Sequence, residues 1–218
     1  IALLDADDVW LPEKLEKQLA IFRHSSDQKL GLVYCAYGVI SDSSKKLPNV
    51  GVITPALRGD ASRKLLLGNF ISGSGSAALI KKSVFDIAGL FDEQLRAGED
   101  WDMWLRISQF FNIDYCPEEL VLIRLHGNNM QKDEMRMLSS DLMILNKFEL
   151  SGQNNYFLLW KIRTFLFNRH ISANEIPGFD SCAQSLQKKL SGVRLKLAFL
   201  SLMPFAFAAK TYLNLKDR

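Results

Sequence analysis

The residues best suited to chemistry are the closely spaced carboxylates Asp5, Asp7 and Asp8, near the start of the chain. They follow the apolar run 1–4, which is typical of a buried strand. Acidic side chains at the carboxyl end of such a strand lie at the sheet edge where open α/β folds bind ligands. A hard divalent cation such as Mg²⁺ or Mn²⁺ would relieve their mutual repulsion, and a bound diphosphate could complete its coordination. The alternative is a solvated acidic turn in which Asp8 caps the next helix.

A second acidic group, Glu99, Asp100 and Asp102, lies at the start of a helix predicted over 101–111. In a structural role, these residues complement the helix dipole and Asp100 is the N-cap. In a catalytic role, a carboxylate in a cleft takes a proton from a hydroxyl group within hydrogen-bond reach. The neighbouring Trp101 is either an apolar wall for a sugar ring or a core side chain. The residues alone leave both interpretations open.

A third polar group ends a strand predicted over 121–126. Strand alternation puts Arg124 and His126 on one face. Arginine can clamp a phosphate and histidine can bind a metal. The simpler alternative is a polar strand end followed by a Gly-Asn turn at 127–129.

The elements that must position these side chains indicate an α/β domain. Residues 10–13 open a helix in which Leu15, Leu19 and Phe22 have the spacing of a face packed on a sheet. The segment 31–40 predicts a strand because it is rich in β-formers. The remaining elements are predicted in this order: a long surface loop over 41–58, a short helix over 65–70, a small flexible stretch over 71–76, a strand over 77–80, a helix over 83–88 ended by Gly89, and strands over 114–116 and 121–126 broken by Pro117.

Composition supports a folded domain and excludes several classes of protein. The 218 residues, 48% of them hydrophobic, suffice for one large domain or one domain with an appendage. The net charge of +3 argues against a nucleic-acid partner. Cys35, Cys116 and Cys182 form neither a zinc pattern nor a disulfide framework, and favour reduced thiols in the cytoplasm.

After residue 130 the pattern becomes helical and basic. Amphipathic helices are predicted over 132–150 and 156–167, and a basic segment leads into the apolar stretch 197–209. That stretch is shorter than the roughly 20 residues that a membrane-spanning helix needs. We therefore predict a helical extension over 131–218. Its segment 190–210 either lies on an anionic membrane surface or packs as an ordinary C-terminal helix.

Four segments, taken in order, resemble the inverting family 2 glycosyltransferases, which have the GT-A fold. They are LLDADDVWLPEKL at 3–15, GLFDE at 89–93, GEDWDMWLR at 98–106 and RLHGNN at 124–129. The resemblance covers residues 1–130 and implies a GT-A-like mixed sheet flanked by helices. It also implies that the strand and loops that hold the nucleotide base precede Ile1, so that this chain is the C-terminal part of the catalytic domain.

The resemblance further implies roles for the residues of the two acidic clusters. Asp5 and Asp7 correspond to the ends of the DxD motif, with Asp7 at a Mg²⁺ or Mn²⁺ ion and Asp5 at the ribose or the waters of the metal. Asp100 corresponds to the catalytic base and Glu99 to its usual neighbour. His126 matches a position that binds the metal in some relatives.

Two further contacts follow from the same resemblance. Arg124 is expected to contact the donor, and Gly73, Ser74 and Gly75, together with Glu99 and Trp101, are expected to line the cleft for the sugar and acceptor. The implied reaction moves a sugar from a nucleoside-diphosphate sugar to a hydroxyl group of a glycan or lipid-linked acceptor, with inversion. The implied location is the cytoplasm, at the cytoplasmic face of the membrane if the C-terminal tail binds there.

Two other functions remain open at this point. The Asp-Ala-Asp-Asp-Val sequence after an apolar strand also fits haloacid-dehalogenase-like phosphatases, with Asp5 as the phosphorylated nucleophile and Asp7 as the acid-base group. The helix signal directly after Val9, and the lack of ordered downstream Ser/Thr and Lys motifs, argue against this function. The chain could also be a truncated, non-catalytic glycan-binding module. Neither the donor sugar nor the acceptor can be read from these residues.

Overall fold

The computed structural model describes residues 1–47, 50–66, 68–71 and 73–126, together with 136, 137, 140, 143, 144, 147 and 148. The chain divides into two compact units: Ile1–Leu95 with Glu99–Lys132, and Arg96–Gly98 with Asp133–Arg218. All the candidate site residues belong to the first unit. The helix predicted over 156–167, the segment 190–210 and Cys182 lie outside the described residues. No helix within the described part of the chain is long and apolar enough to cross a bilayer.

The first unit is built on a curled four-stranded mixed sheet flanked by helices, which confirms the predicted α/β class. Its strands are β1 (Val9–Trp10), β2 (Leu30–Ser41), β3 (Leu79–Ile80) and β4 (Asn112–Leu125), in the order β1-β4-β2-β3. The long strands β2 and β4 are parallel, whereas β1 and β3 pair antiparallel with β4 and β2. The helices are α1 (Lys14–His24), α2 (Ser62–Leu65), α3 (Val84–Ala88) and α4 (Glu99–Ser108). This arrangement is consistent with a GT-A-like domain.

The core lies around β2 and α4. Residues 32–36 of β2 are almost completely buried, as expected for a strand with neighbours on both edges and covered faces. Helix α4 buries Trp104 and Ile107 completely, which confirms the apolar face predicted for it. Gly89, with φ +76°, ends α3 as predicted.

The prediction that Pro117 breaks the last strand is wrong. Strand β4 is continuous over 14 residues. Cys35 pairs with Cys116 and the next residue, Ala36, pairs with Glu119, so Pro117 and Glu118 bulge out of the ladder. A bulge accommodates proline because its nitrogen has no hydrogen to donate to a partner strand. The strand therefore continues to the site end of the sheet.

The predicted packing face of α1 is also wrong. Leu15 and Leu19 are each 39% exposed, whereas Lys14 and Gln18 are 1% and 0% exposed. Two buried carbonyl groups explain the reversal, because the Gln18 amide donates hydrogen bonds to the backbone oxygens of Val33 (3.0 Å) and Ala77 (2.8 Å).

The Lys14 ammonium completes this buried polar face. It donates to the Gln18 side-chain oxygen at 2.8 Å and lies 4.3 Å from the centroid of the Trp10 ring. Burial lowers the pKa of Lys14 to about 8. The inward face of α1 is therefore marked by the hydrogen bonds of Gln18 to Val33 and Ala77, and not by the spacing of Leu15 and Leu19.

Replacing Gln18 by alanine is expected to lower the free energy of unfolding by about 2–4 kcal/mol, because it removes two buried hydrogen bonds and leaves a cavity. The matched control, Leu19→Ala on the next position of the same helix, should cost less than about 1 kcal/mol because its side chain is partly exposed. Urea denaturation measures both. A larger loss for Leu19 than for Gln18 would contradict the observed orientation of α1.

Three shorter elements differ from their predicted bounds. Only Ala2 of the predicted buried strand 1–4 forms a β-bridge, with Leu79, and Ile1 is 49% exposed. The helix predicted over 65–70 lies at Ser62–Leu65 instead, because the Asp60 carboxylate accepts hydrogen bonds from the backbone and hydroxyl of Ser62 and starts it there. The strand predicted over 77–80 is limited to Leu79–Ile80, since the residues before it form a 3₁₀ turn at Gly75–Ala77.

Candidate functional site

Asp8 joins three separate parts of the chain. Its Oδ2 accepts hydrogen bonds from the hydroxyl groups of Ser76 (2.6 Å) and Ser74 (3.2 Å), and its Oδ1 accepts the backbone N–H of Arg124 at 3.1 Å. The alternative in which Asp8 caps the next helix does not hold, because α1 begins only at Lys14 and Asp8 bonds to distant segments instead. Burial raises the pKa of Asp8, against the lowering effect of its bonds to Ser76 and Arg124.

The turn that carries the acidic cluster is fixed from two sides. The fully buried Ser76 hydroxyl donates to Asp8 and accepts the backbone N–H of Asp5 at 3.0 Å. Ser74 holds a left-handed backbone, with φ +53°, and its hydroxyl also reaches Asp8. The predicted flexible stretch is thus an anchored turn at its described end.

Gly73 and Gly75 lie in this anchored turn, beside the acidic cluster. Gly73 has φ +94°, and a Cβ there would come within 2.8 Å of the Cβ of Ala77. A larger residue at 73 would therefore both strain the backbone and displace the turn. The structure thus places the predicted cleft residues Gly73, Ser74 and Gly75 next to Asp8.

Arg124 holds the acidic turn from the β4 side. Its Nε donates to the backbone oxygen of Asp7 at 2.8 Å, and its Nη1 donates to the backbone oxygens of Ser41 (2.9 Å) and Asp42 (3.1 Å) and to the Ser44 hydroxyl at 3.0 Å. These bonds tie the turn to the loop that follows β2. Within the structure Arg124 positions Asp7, and its contact with a donor stays a prediction.

Asp7 and His126 form a pair of possible metal ligands. The His126 Nε2 lies 2.9 Å from the Asp7 Oδ2, and the two side chains are 28% and 41% exposed. Carboxylate oxygen and imidazole nitrogen together suit a divalent ion such as Mn²⁺. No group of three or more His, Cys, Asp or Glu side chains that could hold a metal occurs in the part of the chain described. A diphosphate and waters would have to supply the other ligands.

Asp100 lies in the first turn of α4, with both carboxylate oxygens hydrogen-bonded. Its Oδ1 accepts the backbone N–H of Trp101 at 2.7 Å, and its Oδ2 accepts the amide N–H of Asn69 at 3.0 Å. Its pKa is raised to about 6, mainly by burial and in smaller part by the negative charges of Glu99 and Asp5, against the lowering effect of its two hydrogen bonds. Asp5 belongs to the first acidic cluster, so the charge of that cluster acts on Asp100, although its effect is the smallest of those named.

Trp101 belongs to the core rather than to an exposed wall. It is 3% exposed, and its indole N–H donates to the backbone oxygen of Leu65 at 2.8 Å. The ring therefore fastens α4 to α2 and leaves almost no surface for a ligand, and its predicted place in the cleft stays a prediction. Glu99 is partly exposed at the start of the helix.

Two contacts in this site escaped prediction. Ser76 was predicted only as the last residue of the small cleft-lining stretch, and its bonds to Asp5 and Asp8 depend on partners far away in sequence. Asn69 carried no signal, because a single asparagine after a glycine is typical of any loop.

Comparisons with known proteins point in one direction. Residues 1–157 match the family described as Glycosyltransferase like family 2. The chain is 34% identical over 128 residues to an uncharacterized glycosyltransferase of Rickettsia prowazekii (strain Madrid E). The aligned region makes up 57% of this chain and 39% of that protein. An uncharacterized glycosyltransferase of Rickettsia felis is 28% identical over 176 residues, which are 76% of this chain and 29% of the relative. The chain thus spans less than half the length of these relatives.

Proposed function

We propose a reaction on the premise that the chain belongs to the glycosyltransferase-like family 2, which it matches over residues 1–157. In this reaction a sugar passes from a nucleoside-diphosphate sugar to a hydroxyl group of a glycan or lipid-linked acceptor, with inversion at the anomeric carbon. The observation that supports the proposal is a possible metal-ligand pair, Asp7 and His126 at 2.9 Å, in the same unit as Asp100, a carboxylate that two hydrogen bonds hold in place.

Asp100 is the proposed general base. A carboxyl group with a pKa of about 6 is ionised at neutral pH, yet binds a proton more strongly than an ordinary aspartate. Asp100 as a whole is only partly buried, so an acceptor hydroxyl can approach this residue although its carboxylate is largely desolvated. Proton removal makes that hydroxyl the nucleophile of a single displacement, and a single displacement inverts the anomeric carbon.

Asp7 and His126 are the proposed ligands of a Mg²⁺ or Mn²⁺ ion shared with the diphosphate of the donor. Such an ion would neutralise the charge that develops on the departing phosphate. Arg124 and Asp8 keep the turn in position, the first through the backbone of Asp7 and the second through Ser76.

A covalent intermediate on either of the two cysteines that the structure describes, Cys35 and Cys116, is disfavoured. Cys35 is 1% exposed, and burial raises the pKa of its thiol to about 12. Burial also raises the pKa of the Cys116 thiol. Neither sulfur forms a thiolate readily near neutral pH, so the acceptor hydroxyl remains the nucleophile of choice.

The proposal is tested by titrating the protein with UDP, GDP and dTDP in a calorimeter, in Mn²⁺ and then in EDTA. We expect binding of at least one nucleotide in Mn²⁺ and its loss in EDTA. Hydrolysis of p-nitrophenyl phosphate without a sugar acceptor would instead support the phosphatase alternative, which the family match does not favour. Glycan binding without nucleotide binding would support the non-catalytic module.

Two finer points of the proposal concern the acceptor and the location. A lipid-linked acceptor would bring the enzyme to the cytoplasmic face of a membrane, where the basic and apolar segment 190–210 could bind anionic lipid. Sedimentation with vesicles of phosphatidylglycerol, compared with phosphatidylcholine, separates this contact from ordinary packing.

A further inference from the structure

We propose that Asn69 is a positioning residue that fixes the orientation of the Asp100 carboxylate toward the acceptor hydroxyl. This inference rests on the proposed role of Asp100 as the base. Nothing in the family motifs of this chain points to Asn69, because it lies between the first segment that carries the resemblance, 3–15, and the second, 89–93.

The geometry at Asp100 leaves its carboxylate little freedom. The Asn69 Nδ2 donates to Oδ2 at 3.0 Å, and the backbone N–H of Trp101 donates to Oδ1 at 2.7 Å. Rotation about the Cβ–Cγ bond would break both bonds. Each oxygen still has a lone pair available, so the two donors fix the direction in which the carboxylate can accept a further proton.

The segment that carries Asn69 is held next to α4 by a separate bond. The Trp101 indole N–H donates to the backbone oxygen of Leu65, the last residue of α2. On the other side of Asn69, Ile71 is fully buried. These anchors hold the amide within reach of Asp100 although Asn69 itself is exposed.

The charges around Asp100 explain why a neutral donor is useful there. Glu99 on α4 and Asp5 in the acidic turn both oppose its ionisation, whereas the hydrogen bond from Asn69 favours it. The amide thus stabilises the charged form that the reaction needs, without adding a positive charge that would weaken the base.

The experiment follows the Asp100 carboxyl by NMR in protein labelled with ¹³C at the aspartate side chains, with Asp100→Asn used to assign the signal. Asn69→Ala is expected to raise the pKa of Asp100 by about half a unit to one unit. Asn69→Asp, which keeps the size of the side chain, should raise it further because a second negative charge faces the carboxylate. The control Gln109→Ala, an exposed amide directly after α4, should leave the titration unchanged.

An Asp100 titration that does not move in either Asn69 variant would overturn the inference. If Asn69 served only to fold its loop, its variants would lose stability without shifting the Asp100 titration. Urea denaturation of each variant therefore separates a structural role of Asn69 from a role in positioning Asp100. Failure of this inference can be told apart from failure of the proposed function. If Asp100→Asn keeps full transferase activity, the base assignment fails whatever Asn69 does; if transfer is lost but the Asn69 variants titrate normally, only the present inference fails.

Discussion

Asp100→Asn is expected to lower the rate of sugar transfer by ~10²–10⁴, the usual contribution of a general base. Asparagine has nearly the same shape and can still accept a hydrogen bond from Trp101, but its amide cannot take a proton from a hydroxyl group. Because Asp7 and His126 are untouched, binding of nucleoside diphosphate in Mn²⁺ should stay near its normal value. Transfer of radiolabelled sugar gives the rate, and calorimetry gives the affinity.

Stability provides the internal check on this variant. The pKa of Asp100 is raised from 3.8 to about 6 in the folded protein, so the folded state binds a proton that the unfolded chain releases between these values. The free energy of unfolding therefore falls as the pH rises through that window. At about pH 7 we expect Asp100→Asn to be more stable than the unaltered protein by about 1–3 kcal/mol, and this gain should shrink below about pH 4.

A matched control separates the chemistry of Asp100 from its place in a helix. Asp86 is an exposed acidic residue in the first turn of α3, as Asp100 is in the first turn of α4. Asp86→Asn should leave transfer unchanged. Equal activity of the Asp100 and Asp86 variants would refute the base assignment, because both would then be helix-terminal charges and nothing more.

Short-range sequence patterns were enough to predict the elements with a clear run of β-formers or a clear apolar face. The run of β-formers in β2 and the apolar face of α4 lie where they were expected. Strand alternation also placed Arg124 and His126 on one face, and both reach Asp7 in the structure. Side chains alternate between the two faces of any β-strand, so this prediction does not require knowledge of the rest of the fold.

Long-range hydrogen bonds decided what local patterns could not. Helix α1 turns its glutamine rather than its leucines inward, because leaving the backbone oxygens of Val33 and Ala77 unpaired would cost more than partly exposing Leu15 and Leu19. Asp8 bonds to Arg124, 116 positions away, instead of to the helix beside it. The sequence shows which groups can accept a hydrogen bond, but only the folded structure shows which donors lie close enough to form one.

The second large effect is expected at the metal pair. Asp7→Ala should weaken the binding of nucleoside diphosphate in Mn²⁺ by at least about tenfold, because it removes the only charged ligand of the proposed pair. His126→Ala should weaken it less, since imidazole contributes a bond but no negative charge. Calorimetric titration in Mn²⁺, with EDTA as the metal-free reference, measures each change.

The double variant decides between a shared ion and a simple ion pair. If Asp7 and His126 bind the same metal, replacing both should weaken nucleotide binding less than the sum of the single effects, because the first loss already releases the ion. If the 2.9 Å contact is only structural, the variants should lower stability and leave the Mn²⁺ dependence intact. His24→Ala provides the matched control, because His24 is exposed on α1 and its ring contacts the backbone oxygen of Ala20. A loss of metal dependence in that control as well would show a general effect of removing imidazole, and would count against the assignment of the ion to Asp7 and His126.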